Sequence, residues 1–187
     1  MTKAGPLPVD LRLGVVGLGY VGLPLAVEFA KVHEVVGYDI DSRRVKELSG
    51  GRDHTLEVTE AELRTATNLR FTDDERDLER ANVYIVTTPT PIDEFKQPDL
   101  TPVLTATEAI ARTLRRGDLV VYESTVYPGA TEERCVPVLE AVSGLTFNRD
   151  FSVVMGITVL TSLIIIIANL FVDIMYGILD PRTREVR

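Results

Sequence analysis

Apolar positions along residues 11–150 follow two alternating rhythms. Short runs rich in valine and isoleucine predict strands at Leu11–Val16, Val35–Asp39, Asn82–Thr87 and Asp118–Glu123. Between them, apolar residues return every three or four positions and predict helices. Leu23–Val32 places Leu25, Phe29 and Val32 on one face, and a second helix is capped by Asp41 or Ser42, runs towards Leu48 and stops at Gly50-Gly51. Further helices are expected at 59–68, Pro98–Arg116 and Thr131–Val142, with Pro102 tolerated in a first turn that needs no N–H from it. Strands alternating with such helices predict an α/β fold, a Rossmann-like doubly wound parallel sheet.

From Phe151 the rhythm changes. The 22 residues up to Val172 carry no charge and include the run Ile164-Ile165-Ile166-Ile167. As a helix that stretch spans roughly 33 Å, about the thickness of a bilayer's hydrocarbon. The expected organisation is therefore a domain over 1–150 followed by a C-terminal hydrophobic, transmembrane-like helix and a short charged tail over 151–187.

Charge sharpens this division. The chain has 187 residues and a formal net charge of −8, all of it in residues 1–150, because the three arginines and three acids of the tail cancel. An acidic domain without a basic stripe makes nucleic acid an unexpected partner. Cys135 is the only cysteine, so no disulfide framework exists and a reducing, cytoplasmic setting is expected. Met1–Asp10 lacks the apolar core of a secretory signal. His33 and His54 are isolated, and their separation suits no metal site.

The chemistry is concentrated in Gly17-Leu18-Gly19-Tyr20-Val21-Gly22. Gly17 permits the tight turn out of the first strand, Gly19 lets backbone N–H groups approach a pyrophosphate, and Gly22 lets the following helix pack close to the sheet. The helix N-terminus beyond it offers unpaired N–H donors and the positive end of its dipole to phosphates. Asp39 closes the second strand, 22 residues after Gly17. A carboxylate there accepts ribose hydroxyls and repels a 2′-phosphate, which favours NAD over NADP. The loops Thr87–Pro91 and Ser124–Gly129 follow later strands where a ligand crevice should open. Their hydroxyls and amides suit either ligand binding or ordinary turn chemistry.

Taken together, Val15–Gly22 with Leu23-Pro24-Leu25-Ala26, Val36–Asp41, Tyr84–Asp93, Lys96–Pro102 and Val121–Glu133 resemble the N-terminal domain of nucleotide-sugar 6-dehydrogenases. The last two stretches are similar to the branch that oxidises the C6 alcohol of UDP-N-acetylhexosamines to the uronic acid with two NAD⁺. The resemblance implies that Gly17, Gly19, Tyr20, Val21 and Gly22 wrap the pyrophosphate. It implies that Asp39 binds the adenosine ribose with Arg44 nearby, and that Thr88 and Thr125 contact the cofactor towards its nicotinamide. Thr125 would also help position catalytic water. A UDP-sugar substrate and homo-oligomeric assembly are further implications.

The same resemblance places a nucleophilic cysteine, an oxyanion-stabilising lysine and asparagine, and a Pro-Glu-Arg segment beyond residue 151, where this sequence has none of them. Cys135 lies inside a predicted helix with no neighbouring base and is read as a packing residue. The expectation is an NAD-binding domain truncated before its catalytic residues and inactive alone.

The tail, through Asn169–Tyr176 and Leu179-Asp180-Pro181-Arg182, resembles the last span and cytoplasmic end of dipeptide/oligopeptide ABC-transporter permeases, with a join within Asn148–Phe151. Three readings stay open: a foreign fused segment, a buried helix with Phe151–Met155 standing in for a sixth strand, or a membrane-anchored module attached through 151–179. Arg182, Arg184 and Arg187 favour a cytoplasmic C-terminus, which would leave the NAD site on the opposite side of the membrane. That conflict favours the fused, chimeric reading.

Overall fold

The computed structural model describes residues 10–91, 98–127 and 129–155. The chain divides after Met155. The first unit is a six-stranded parallel sheet built from β1 (Arg12–Val16), β2 (Glu34–Tyr38), β3 (Leu69–Thr72), β4 (Val83–Val86), β5 (Leu119–Tyr122) and β6 (Ser152–Met155), in the spatial order β3-β2-β1-β4-β5-β6. Its helices are α1 (Gly22–Ala30), α2 (Ser42–Ser49), α3 (Glu60–Thr65), α4 (Thr101–Thr113) and α5 (Val136–Ser143). A 3-10 segment (Glu75–Arg80) precedes β4, and a π-helical turn (Thr131–Cys135) leads into α5.

The reasons for these elements are largely local. Val83-Tyr84-Ile85-Val86 is buried throughout, as expected of a central parallel strand covered on both faces. Asp41 caps α2 by accepting from the Arg43 N–H, and Thr59 and Glu62 form a reciprocal capping box at α3. Gly144, at φ +70°, ends α5 in the left-handed conformation that favours glycine. Two cores then lie on the two faces of the sheet. One gathers Leu78, Tyr84, Val103, Ile110, Tyr122 and Leu139, and the other Leu18, Leu23, Val27, Leu48, Leu63 and Ile85.

The structure departs from expectation in two places. β3 and the 3-10 segment were not predicted. Leu69-Arg70-Phe71-Thr72 is a four-residue edge strand with an exposed arginine, too short and mixed to announce itself, and it forms because β2 supplies a parallel partner from Val35 to Tyr38.

The second departure corrects the domain boundary at 150 and the start of the hydrophobic helix. Phe151 is buried against Phe147, with ring centroids 5.9 Å apart, and Ser152–Met155 pairs in parallel with Leu119–Tyr122. The Ser152 N–H donates to the Asp118 carbonyl at 3.1 Å, and the Gly117 N–H donates to that of Asp150 at 2.7 Å. A short β-branched run beside an open sheet edge gains a ladder of hydrogen bonds that a helix could not share, so these residues finish the sheet. A join placed within Asn148–Phe151 therefore falls inside a continuous α/β unit. The rest of the expected apolar helix, the permease-like stretch and Arg182, Arg184 and Arg187 lie outside the described residues. Among the described residues, no helix is long and apolar enough to cross a membrane.

Candidate functional site

In a sheet ordered 3-2-1-4-5-6, chain connections diverge between β1 and β4, and a crevice opens beyond their carboxyl ends. A hollow of about 520 Å³ lies there, walled by the glycine loop, the tip of β2, the Thr87-Thr88-Pro89 loop and the first turns of α4. A second hollow, about 260 Å³, sits at the amino ends of the strands among Arg12, Glu34 and Arg70, away from every predicted site residue.

The glycine loop is shaped by contacts that only hydrogen-sized side chains permit. Gly17 turns out of β1 at φ +99°, and its N–H donates to the Tyr38 carbonyl at 2.8 Å. A Cβ at Gly22 would stand 1.8 Å from the Gly17 carbonyl oxygen and 2.4 Å from Thr87 Oγ1. α1 thus starts hard against the turn, held also by the Thr87 hydroxyl donating to that same Gly17 carbonyl at 2.7 Å. Gly19 differs, because a Cβ there would meet nothing within 4 Å. Its open side belongs to the crevice.

α1 has Val21 as its N-cap, with no side chain satisfying its first N–H groups. Such a terminus attracts an anion through unpaired donors and the helix dipole. Asp39, half-buried at the tip of β2, accepts the Leu18 N–H on Oδ2 at 2.8 Å and the Asp41 N–H on Oδ1 at 2.9 Å. Each carboxylate oxygen retains lone-pair capacity for a ribose diol. A cradle open over Gly19, an uncapped helix start and a flanking carboxylate fit a dinucleotide with free ribose hydroxyls.

Of the residues expected to touch the cofactor, Gly17, Gly19, Asp39 and Thr88 line the crevice. Gly22 is a packing position against Gly17 and Thr87, while Tyr20 and Val21 are exposed and outside the crevice lining. Thr125 is exposed on the loop after β5, where its carbonyl accepts the Thr90 hydroxyl at 2.5 Å. Thr88 and Ser124 tie the two loops together: their hydroxyls lie 3.3 Å apart, and the Ser124 hydroxyl donates to the Thr88 carbonyl at 2.7 Å. Ile92, Asp93, Lys96 and Gln97 of the resembling motif, and Pro128, lie outside the described residues.

Arg44 is buried away from the crevice lining. Its Nε–H donates to the Leu18 carbonyl at 2.9 Å, and its Nη2 pairs with Asp53 Oδ1 at 2.8 Å. Burial would raise the Asp53 carboxyl. Hydrogen bonds from Thr55, Arg44 and the backbone of Val58 and Thr55 outweigh it and hold the carboxyl at about 2. Sequence reasoning also missed Asp99, Thr101 and Thr105, which line the crevice from α4. The signal was available: a helix start at Asp99-Leu100-Thr101-Pro102 sits at the carboxyl end of a parallel sheet, and Thr105 lies one turn on.

Cys135 is buried, and burial pushes its thiol up. Thr107 and Tyr122 hydroxyls lie nearby, bonded to each other at 2.9 Å. A buried, protonated thiol is a poor nucleophile, consistent with a packing role.

Comparison with known proteins places this geometry. The UDP-glucose/GDP-mannose dehydrogenase family, NAD binding domain, matches residues 11–159. UDP-N-acetyl-D-glucosamine 6-dehydrogenase of Pseudomonas aeruginosa is 64% identical over 142 residues, covering 76% of this chain and 34% of the relative. The enzyme of the same name from Salmonella typhi is 56% identical over 144 residues, covering 77% of this chain and 34% of its own length. The solved structure of the UDP-D-ManNAc dehydrogenase from Pyrococcus horikoshii superposes with a TM-score of 0.72 at 38% identity, over 76% of this chain and 35% of that one. The chain thus spans about a third of the length of the curated relatives it matches. The family match runs through the whole of β6, past the expected join. The chain belongs to the UDP-glucose/GDP-mannose dehydrogenase family and carries its NAD binding domain.

Proposed function

We propose that this domain holds NAD⁺ in the crevice between β1 and β4, and that the protein to which it belongs oxidises the C6 alcohol of a UDP-N-acetylhexosamine to the uronic acid. The observation that carries the reading is the pairing of an open Gly19 face with the Asp39 carboxylate at the tip of β2. The Gly19 side accommodates a pyrophosphate against the start of α1, and Asp39 accepts the adenosine ribose hydroxyls. When bound, NAD⁺ supplies a hydride acceptor. The Asp39 charge selects against a 2′-phosphate, and Thr88, tied to Ser124, stands at the loop crossing towards the nicotinamide end, with Thr125 next along the chain.

The substrate class follows the relatives named UDP-N-acetyl-D-glucosamine 6-dehydrogenase. Cys135 is too buried to supply the nucleophile for the second oxidation, so the chain by itself binds NAD⁺ without turnover. A dinucleotide cofactor and a single free thiol suit a reducing, cytoplasmic compartment. Homo-oligomerisation and membrane attachment of the apolar tail remain expectations drawn from the sequence.

Calorimetric titration of the chain with NAD⁺, NADP⁺ and UDP-N-acetylglucosamine tests the reading. NAD⁺ binding well above NADP⁺, with no NADH formed on adding the UDP-sugar, is the expected result. Equal binding of the two dinucleotides, or of neither, would refute it.

A further inference from the structure

Leu18 is gripped at both ends of its backbone by charged side chains. Its N–H is held by Asp39 at 2.8 Å and its carbonyl by the Arg44 Nε–H at 2.9 Å. Peptide units are planar and trans, so fixing the Leu18 carbonyl also fixes the N–H of Gly19, which points the opposite way. Arg44 is buried and outside the crevice lining, whereas Gly19 is part of that lining.

Arg44 is itself aimed by a built anchor. The Asp53 side chain is fully buried and pairs with Arg44 Nη2 at 2.8 Å. Its Oδ1 also accepts the Thr55 N–H at 3.0 Å and the Thr55 hydroxyl at 2.6 Å, while Oδ2 accepts the N–H groups of Glu57 and Val58, both at 3.0 Å. The loop closes so tightly around this carboxylate that Leu56 takes φ +59°. Glu47 and His54 flank the other guanidinium nitrogen, with Arg44 Nη1 3.4 Å from Glu47 Oε2 and 3.1 Å from His54 Nδ1.

We propose that Asp53 is a positioning residue for the dinucleotide site: acting through Arg44, it locks the Leu18–Gly19 peptide so that the Gly19 N–H faces the crevice and is ready for a diphosphate oxygen. The proposal rests on reading the crevice as the NAD⁺ site. The planar guanidinium presents separate, fixed donors to the Leu18 carbonyl and the Asp53 carboxylate, a fork that the compact ammonium of lysine does not reproduce. An amide donor aimed before the ligand arrives spares the ordering that binding would otherwise cost.

The test uses the full chain, its Asp53→Ala and Arg44→Lys variants, NAD⁺ calorimetry, thermal unfolding, and proton–nitrogen NMR of the Gly19 amide and the Arg44 Nε–H without ligand. In the wild-type chain the Nε–H should exchange slowly at pH 7. In both variants the NAD⁺ dissociation constant should rise about tenfold, as loss of one charge-assisted hydrogen bond implies, and the Gly19 resonance should move before NAD⁺ is added. A variant that only melts earlier, with wild-type affinity and an unmoved Gly19 resonance, would overturn the proposal. If neither variant folds, the wild-type chain decides alone, since an Nε–H exchanging as fast as free arginine rules out the lock. Failure of the wild-type chain to bind NAD⁺ would instead defeat the functional reading, and the NMR signals would still judge the lock.

Discussion

The Cβ that Gly22 lacks would lie 1.8 Å from the carbonyl oxygen of Gly17, with Thr87 Oγ1 at 2.4 Å. The nearest atom belongs to the backbone, so rotation of the Thr87 side chain cannot relieve the clash. Gly22→Ala must push α1 off the sheet or flatten the Gly17 turn. The expected cost is about 3 kcal/mol in urea unfolding, together with loss of NAD⁺ binding in calorimetry. An alanine variant as stable as wild type would mean that the loop relaxes freely.

Gly19→Ala should behave in the opposite way. Its Cβ meets nothing within 4 Å, and its backbone is not in the left-handed region, so stability should change by no more than about 0.5 kcal/mol. The methyl instead occupies space on the ligand side. NAD⁺ affinity should fall about tenfold or more, near 1.4 kcal/mol. Paired urea and calorimetric titrations separate the two glycines: one variant loses fold and binding together, the other binding alone.

Asp39→Ala removes an acceptor from the Leu18 N–H and from the ribose hydroxyls at once. Loss of charge-assisted hydrogen bonds predicts a weakening of about 2 kcal/mol for NAD⁺. NADP⁺ should lose far less, because the repulsion of its 2′-phosphate disappears with the carboxylate. Titrating both dinucleotides against wild type and variant measures the ratio, and an unchanged ratio would remove Asp39 from cofactor selection.

Asp118 carries a pH signature. Burial pushes its carboxyl up to about 6, against hydrogen bonds from the Arg115 N–H and the Tyr84 hydroxyl that favour the charge. The folded state therefore holds this proton more tightly than the unfolded chain, whose aspartates titrate near 4. The stabilisation is complete below about pH 4 and is lost as pH rises through about 6. The contribution is of order 2–3 kcal/mol. Urea unfolding from pH 4 to 7 should show that decline in wild type and a flatter profile in Asp118→Asn. Asp53 works with the opposite sign, since its carboxyl held at about 2 stabilises the fold above pH 4 and ceases to do so only under strong acid.

The candidate site was legible where its chemistry is contiguous. Gly17, Gly19 and Gly22 sit in one turn, and each glycine's reason is set by residues a few positions away or by the strand and helix it joins. Asp39 is readable because a short strand delivers it to the carboxyl end of the sheet. The cap at Asp41 belongs to the same class, as do the apolar strands at Val83 and Val120 and the packing role of Cys135. Local turn chemistry and the contrast between periods of 2 and 3.6 carry this information in the order of residues.

Other features depend on partners distant in the chain. Arg44 could face a ribose or the protein interior by sequence alone, and the approach of Asp53 and the Leu18 carbonyl from separate loops turns it inward. Thr87 braces Gly17 across 70 residues, and the α4 threonines reach the crevice because the strand order diverges beside β1. Residues 151–155 are the sharpest case. An apolar run has no intrinsic preference strong enough to choose between helix and strand, so the free edge of β5 chose for it by offering unpaired N–H and C=O groups that had to be satisfied. Sequence alone determined the glycine loop, the acid after the second strand and the alternating order of elements. Tertiary structure decided which side chains turn towards that loop and where the sheet ends, because both depend on hydrogen-bonding groups that meet only once the chain has folded.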